Sequence, residues 1–126
     1  MEKKRLKKIK DCFYKSLYSC DDQGNIFSYY NGKKQLKGRL HKSGYVYYSF
    51  YLYGEEIQLT AHQAVWIYFN PNCKKLESLE INHKNLIKVD NRLANLEVVT
   101  SSVNKIHYYQ MKKNLQTQID RNALCA

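Results

Sequence analysis

Hydrophobic and polar positions divide the chain into a first half of short apolar runs and a second half of longer, mixed elements. The first half is rich in Tyr, Phe, Val and Ile, and Gly or Asn residues separate its runs, which is typical of antiparallel hairpins. The predicted strands cover residues 18–20, 26–30, 45–53 and 57–61, with turns at Gly24, Asn31-Gly32 and Gly54. Residues 18–60 are therefore predicted to form a small antiparallel sheet module.

After residue 60 the pattern changes to helix, strand, loop, strand and helix. The predicted elements are a helix over 62–69, strands over 79–83 and 96–100, and a helix over about 102–114. The first helix offers Ala64, Val65, Trp66 and Phe69 for burial and ends at Asn70-Pro71. The sequence thus predicts an α+β protein with a second module over residues 61–114, followed by a C-terminal tail over residues 115–126.

Length and composition limit the class of protein. With 126 residues the chain is long enough for one modest core. It contains no run of about 18 apolar residues that could span a bilayer, so we expect a cytoplasmic protein, in the host cytoplasm if a phage or virus encodes it. Cysteines at 12, 20, 73 and 125 form no Cys-x-x-Cys pair. We therefore expect reduced thiols rather than a disulfide framework or a zinc site.

The net charge of +10 is concentrated in two stretches of the sequence. One is a predicted basic N-terminal arm over residues 1–17, and the other covers residues 33–42. Such clusters are typical of surfaces that bind polyanions, although a solvated tail and a charged hairpin tip would have the same composition. The predicted nucleic-acid contacts are Lys3, Lys4, Arg5, Lys7, Lys8, Lys33, Lys34, Lys37, Arg39 and Lys105.

Residues 81–107 concentrate the side chains with candidate chemistry. His83 ends one predicted strand, while Asn104 lies on the last predicted helix, one turn from His107. A histidine and an asparagine placed in this way can converge on one metal ion and one phosphate. This combination favours the hydrolysis of nucleic acid.

The segment resembles the HNH nuclease module, a strand-strand-helix metal fold found in phage and intron-encoded homing endonucleases. The matching stretches are His62-Gln63-Ala64-Val65, Ile81-Asn82-His83, Asp90-Asn91, and residues 95–100 and 104–107. In addition, the spacing of Tyr18, Gly24, Ile26 and Ser28 is similar to that of the small sheet module that often precedes this nuclease. The resemblance covers about residues 18–110.

This resemblance implies a metal-dependent endonuclease that nicks or cleaves DNA. It makes His83 the general base, and an unperturbed imidazole pKa of about 6.5 suits neutral pH. Asn82 and Asn104 would hold one Mg²⁺ or Mn²⁺ through their amide oxygens. Asn91 would brace the loop and orient His83. His107 would contact a phosphate, unless it is a solvent-facing helix residue.

Two other functions remain compatible with the sequence: a catalytically inactive HNH-fold protein that binds nucleic acid or inhibits a host enzyme, and an RNA-binding or RNA-cutting domain. For His62 and Asn95 we favour structural roles, in packing and in a turn. The tyrosines of residues 45–53 are interpreted as sheet core rather than as base-stacking platforms. We expect a monomer that contacts DNA mostly through phosphates, with weak sequence specificity.

Overall fold

The computed structural model describes residues 2–72, 79–100, 106, 109 and 110, and all structural statements concern these residues. Its elements are α1 (Lys3–Tyr14), β1 (Tyr18–Cys20), β2 (Ile26–Ser28), β3 (Lys34–Gln35), β4 (Arg39–Leu40), β5 (Val46–Leu52), β6 (Glu55–Thr60), α2 (Ala61–Phe69), β7 (Glu80–His83) and β8 (Leu96–Val99). A short 3₁₀ turn, Leu93–Asn95, precedes β8. Ile106, Tyr109 and Gln110 are helical, inside the last helix expected from the sequence, and the rest of that helix lies outside the described residues.

The strands form three antiparallel sheets, in the orders β1-β2-β3, β4-β5-β6 and β7-β8. One small sheet is expected before α2, whereas the structure has two. The chain passes from the first to the second near Gly38, where a Cβ would lie 2.4 Å from Val46 Cγ1. The two sheets are joined by a hydrogen bond of 2.8 Å from the Tyr51 backbone N–H to Tyr18 Oη.

Helix α1 replaces the basic arm expected over residues 1–17. Leu6, Ile9 and Cys12 are buried on one face of the helix, because their spacing of three residues places them on the same side. The lysines at positions 3, 4 and 7 are exposed. The N-terminal segment is therefore part of the core, and its basic side chains project from a fixed helix.

One hydrophobic core joins the helices to the sheets. Its largest fully buried side chains are Ile9, Cys12, Ile26, Phe50, Leu59, Val65 and Ile67, which come from α1, β2, β5, β6 and α2. Ala64 and Val65 are buried, as expected. Phe69 is also expected to be buried but is 37% exposed, and Ile67 is buried instead. Because α2 is apolar on nearly all sides, periodicity alone does not define its buried face.

Two general expectations concern the thiols and the membrane. Cys12 and Cys20 are free and buried, and burial raises the pKa of the Cys12 thiol to about 11. Cys73 and Cys125 lie outside the described residues. Among the helices that are described, none combines the length and the apolar character needed to cross a membrane.

Turns of the first two sheets pack against the loop that joins β7 to β8. In the β1–β2 turn, the Asp22 carbonyl accepts a hydrogen bond of 2.9 Å from the backbone N–H of Leu93. Gly24 of the same turn lies against the backbone of Asn91, where a Cβ would be 2.7 Å from the carbonyl oxygen. In the β4–β5 turn, the Ser43 carbonyl accepts a hydrogen bond of 2.8 Å from Lys88 Nζ. The first two sheets therefore support the loop between β7 and β8.

We predict that Gly24→Ala destabilises the protein more than Gly32→Ala. Both glycines have a positive φ, +88° and +76°, so each alanine should cost about 1–2 kcal/mol in backbone conformation. A Cβ at residue 32 meets nothing within 4 Å, whereas a Cβ at residue 24 collides with Asn91. Urea unfolding should show an additional loss of about 1–3 kcal/mol for Gly24→Ala. Equal losses would contradict the close packing of this turn on the loop.

Candidate active site

The register of the β7–β8 ladder sets the geometry of the site. Asn82 pairs with Glu97 and His83 pairs with Leu96. Asn82 and His83 are 6% and 5% exposed, so both polar side chains need partners inside the protein. The Asn82 partner is Glu97, whose Oε1 accepts a hydrogen bond of 2.9 Å from Asn82 Nδ2.

The partner of His83 is Asn91, which lies across the loop. His83 Nε2 and Asn91 Oδ1 are 2.9 Å apart. The other end of the Asn91 amide, Nδ2, faces the Val89 carbonyl at 3.5 Å, which is consistent with Oδ1 facing the imidazole. Because a carbonyl oxygen only accepts, His83 must donate from Nε2, and its Nδ1 carries the lone pair that can accept a proton.

Three side chains hold the loop between β7 and β8 in shape. Asn95 Nδ2 donates to Asn85 Oδ1 at 2.9 Å and to the Asp90 carbonyl at 2.8 Å. Asn85 Nδ2 donates in turn to Asp90 Oδ2 at 2.7 Å. An ion pair of 2.8 Å with Arg92 lowers the pKa of Asp90 and keeps its carboxylate charged. Leu86 adopts a positive φ of 63°, so the chain turns sharply soon after His83.

Aromatic rings from helix α2 and from the β4–β5 turn pack against His83. The His62 ring lies edge-on to it, with centroids 4.6 Å apart, and the Tyr45 ring stacks on it at 6.1 Å. The Lys88 ammonium lies 4.8 Å from the centroid of Tyr45. Burial, reinforced by the nearby His83, lowers the pKa of His62 to about 3. His62 is therefore a neutral packing partner at neutral pH.

Burial also lowers the pKa of His83 below its usual value. The hydrogen bond to Asn91 and the charge of Asp90 oppose this shift, and the charge of Lys88 adds to it. The imidazole of His83 therefore stays neutral at a lower pH than an exposed histidine would.

Comparison with known proteins identifies the second half of the chain. Residues 60–106 match the family model described as HNH endonuclease. This stretch of the chain is therefore similar to HNH endonucleases. The structure is also similar to that of the HNH homing endonuclease I-HmuI, described as binding and cleaving DNA, with a TM-score of 0.57 and 28% sequence identity. No curated protein sequence matches the chain significantly.

The similarity to I-HmuI extends beyond the HNH module. It covers 83% of this chain, which includes part of the region before residue 60, but only 53% of the I-HmuI chain. The present chain thus spans about half the length of that nuclease. The resemblance inferred from the sequence and the α+β fold class are confirmed.

The structure brings together only part of the predicted site. Asn82 and His83 are neighbours at the end of β7, and His83 is hydrogen-bonded to Asn91 of the following loop. Asn104, Lys105 and His107 lie outside the described residues. Of the predicted nucleic-acid contacts, Lys8 is paired with Glu55 at 2.6 Å, and Arg39 donates a hydrogen bond of 3.1 Å to Ser49.

Several residues around the site do not follow from sequence reasoning. Glu97 is absent from the predicted site, although pairing the two predicted strands would place it beside Asn82. Asn85 and Asp90 hold the loop in shape through their hydrogen bond, and this role can be recognised only when the conformation of the loop is known. Nothing in the sequence links Tyr45 to His83, because their contact depends on how the second sheet packs.

The donors near Asn82 can be compared with the divalent ion that the HNH family implies. HNH nucleases generally use a divalent metal ion. In the described part of the chain no group of three or more His, Cys, Asp or Glu side chains could hold a metal. A site at Asn82 would instead use an amide oxygen, a ligand that suits Mg²⁺ or Mn²⁺, with the Glu97 carboxylate close by. The residues present therefore fit a hard divalent ion.

Acidification should destabilise the fold through His62. Its folded-state pKa is about 3, whereas an unfolded histidine titrates near about 6.5. Between these values the unfolded state binds a proton that the folded state does not. The free energy of unfolding therefore falls as the pH falls, with a limiting slope of about 1.4 kcal/mol per pH unit.

This effect can be measured by urea unfolding of the wild type and of His62→Gln from about pH 7 to about pH 5. The glutamine variant lacks the titrating group, so its stability should depend less steeply on pH. Parallel curves for the two proteins would show that His62 does not remain neutral in the folded state.

Proposed function

We propose that this protein is a metal-dependent endonuclease that nicks or cleaves DNA. The observation that carries the proposal is the hydrogen bond of 2.9 Å between His83 Nε2 and Asn91 Oδ1. It leaves the imidazole with one basic nitrogen, Nδ1. The match of residues 60–106 to HNH endonucleases supports the assignment of His83 as the general base.

In the proposed reaction, His83 Nδ1 accepts a proton from the attacking water. The imidazolium that forms still donates from Nε2 to Asn91, so the bond stabilises the charged state without moving the ring. Asn91 touches no reacting atom and acts as a positioning residue. The Tyr45 ring stacks on the His83 imidazole, and the His62 ring packs edge-on against it. These contacts restrict the imidazole, so it needs little reorganisation before proton transfer.

Asn82 and Asn104 are proposed to hold one divalent ion, Mg²⁺ or Mn²⁺, through their amide oxygens. Such an ion supplies electrostatic stabilisation of the charge on the leaving 3′ oxygen. Asn82 Nδ2 faces Glu97, which leaves the carbonyl oxygen as the ligand atom of this amide. His107 is proposed to contact a phosphate. One such site makes one cut, so a monomer should nick a duplex.

DNA is proposed to bind mostly through its phosphates. The exposed lysines of α1 and of residues 33–37 provide positive charge on fixed elements rather than on a free arm. Contacts of this kind release counterions and carry little sequence information. We therefore propose weak sequence specificity for this chain.

Supercoiled plasmid with Mg²⁺ or Mn²⁺ should be converted to open circles, and EDTA should stop the reaction. We expect His83→Ala to slow nicking by about 10²–10⁴, because it removes the general base. Asn91→Ala should slow nicking by about 10–100, because it removes the partner that orients the base. The control is Gln58→Ala, which removes an exposed polar side chain from β6 and should retain most of the rate.

The pH dependence of the same assay tests the state of His83. Its pKa is lowered by burial, so the base stays neutral, and the rate should hold, below the pH of about 6.5 expected for an exposed imidazole. Equal nicking by His83→Ala and wild type would contradict the assignment. DNA binding without nicking would favour an inactive binding protein, and preferential cutting of RNA would change the substrate.

Lys7→Gln and Lys8→Gln should affect DNA affinity differently. The two lysines are neighbours on α1, but Lys7 is exposed while Lys8 is paired with Glu55 at 2.6 Å. If Lys7 contacts a phosphate, its loss should reduce the slope of log affinity against log salt concentration by about 0.9. Lys8→Gln should change the slope less. The measurement is binding of duplex DNA between about 50 and 200 mM salt, and equal changes would argue against α1 as the contact surface.

A further inference from the structure

A side-chain hydrogen bond between Asn82 and Glu97 connects the two strands of the β7–β8 ladder. Its length is 2.9 Å, and its two residues are direct partners in the ladder. Asn82 is 6% exposed, whereas Glu97 is half-buried. The strand pairing therefore places a carboxylate at the edge of the proposed metal site.

The chemistry of the pair gives the bond a definite direction. A carboxamide has a donor end and an acceptor end of nearly the same shape, so an unconstrained asparagine can present either one. An ionised carboxylate has only acceptors. Glu97 can therefore hold Asn82 Nδ2 but would repel Oδ1, and this selects the orientation in which Oδ1 is directed away from Glu97.

We propose that Glu97 is a positioning residue for the divalent ion, acting by fixing the amide of Asn82 with its carbonyl oxygen available as a ligand. This inference rests on the proposed function, because it takes Asn82 as a metal ligand. The amide nitrogen of asparagine cannot bind a metal in its neutral form, so a flipped Asn82 would remove one ligand from the site. Partners that orient a ligand in this way typically contribute about 10–100-fold to metal affinity.

The substitution Asn82→Asp removes the need for orientation. Both oxygens of the introduced carboxylate can bind a metal, so no partner is needed to select the ligand atom. The introduced carboxylate has no N–H to donate to Glu97, and the two carboxylates repel each other. If Glu97 acts by orienting Asn82, its removal should weaken Mn²⁺ binding in the otherwise wild-type protein and should not weaken it in the Asn82→Asp variant.

The experiment is a Mn²⁺ titration of the full chain without DNA, in which electron paramagnetic resonance reports the free ion. The proteins are the wild type, Glu97→Ala, Asn82→Asp, the double variant with both changes, and Asn82→Ala. Glu56→Ala is the matched control, because Glu56 is also a strand glutamate that accepts a side-chain hydrogen bond, from Ser49 at 2.8 Å. Thermal unfolding without metal checks that each variant folds.

We expect Glu97→Ala to weaken Mn²⁺ binding by about 10–100-fold, and Glu56→Ala to leave it near the wild-type value. In the Asn82→Asp background the same Glu97→Ala change should not weaken Mn²⁺ binding, which is a strong coupling between the two positions. A loss caused only by disturbed folding would appear in both backgrounds and in thermal unfolding.

Two results would overturn the inference. The first would leave the proposed nuclease site intact, whereas the second would also overturn the proposed metal assignment. Equal losses on Glu97→Ala in the wild-type and Asn82→Asp backgrounds would mean that Glu97 acts through its charge or as a ligand, and the proposed nuclease site would stand. Mn²⁺ binding that is unchanged in Asn82→Ala would remove Asn82 from the metal site. That result would overturn both the inference and the proposed metal assignment.

Discussion

The hydrogen bond between His83 and Asn91 is the interaction on which the site depends. It crosses the loop between β7 and β8, so its length of 2.9 Å requires that the loop keep one shape. Three other side chains and two turns from the first sheets hold that shape. The first two sheets therefore stabilise the position of the proposed base, His83, through their turns.

Burial at the site has two opposing consequences. It lowers the pKa of His83, which keeps the proposed base neutral, but it also disfavours the imidazolium that would form when this base accepts a proton. The Asn91 oxygen and the nearby Asp90 carboxylate offset part of this cost. For His62, burial and the neighbouring His83 both lower the pKa, so this ring is neutral at any moderately acidic pH. Two histidines in contact can therefore have different roles.

The elements that the sequence predicts well are those whose signals are local. Alternation and turn residues locate the strands, and Pro71 marks the end of α2 within a residue or two. Helix α1 is not predicted because its lysines dominate the composition, although Leu6, Ile9 and Cys12 have helical spacing. The family resemblance points to His83 and Asn91. The position of Glu97 beside Asn82 can be predicted only from the strand register, and the contact of Tyr45 with His83 only from the packing of separate parts of the fold.

A similar constraint applies to the proposed metal site around the amide of Asn82. Two neutral carboxamides alone would bind a divalent ion weakly, since neither carries charge. A carboxylate on the neighbouring strand contacts the Asn82 amide through its N–H, so the carbonyl oxygen would be the atom available to the proposed ion. Negative charge is then close to the site, while the atom offered to the metal is uncharged. Such an arrangement favours an ion that also binds a substrate phosphate, because the protein ligands alone do not satisfy it.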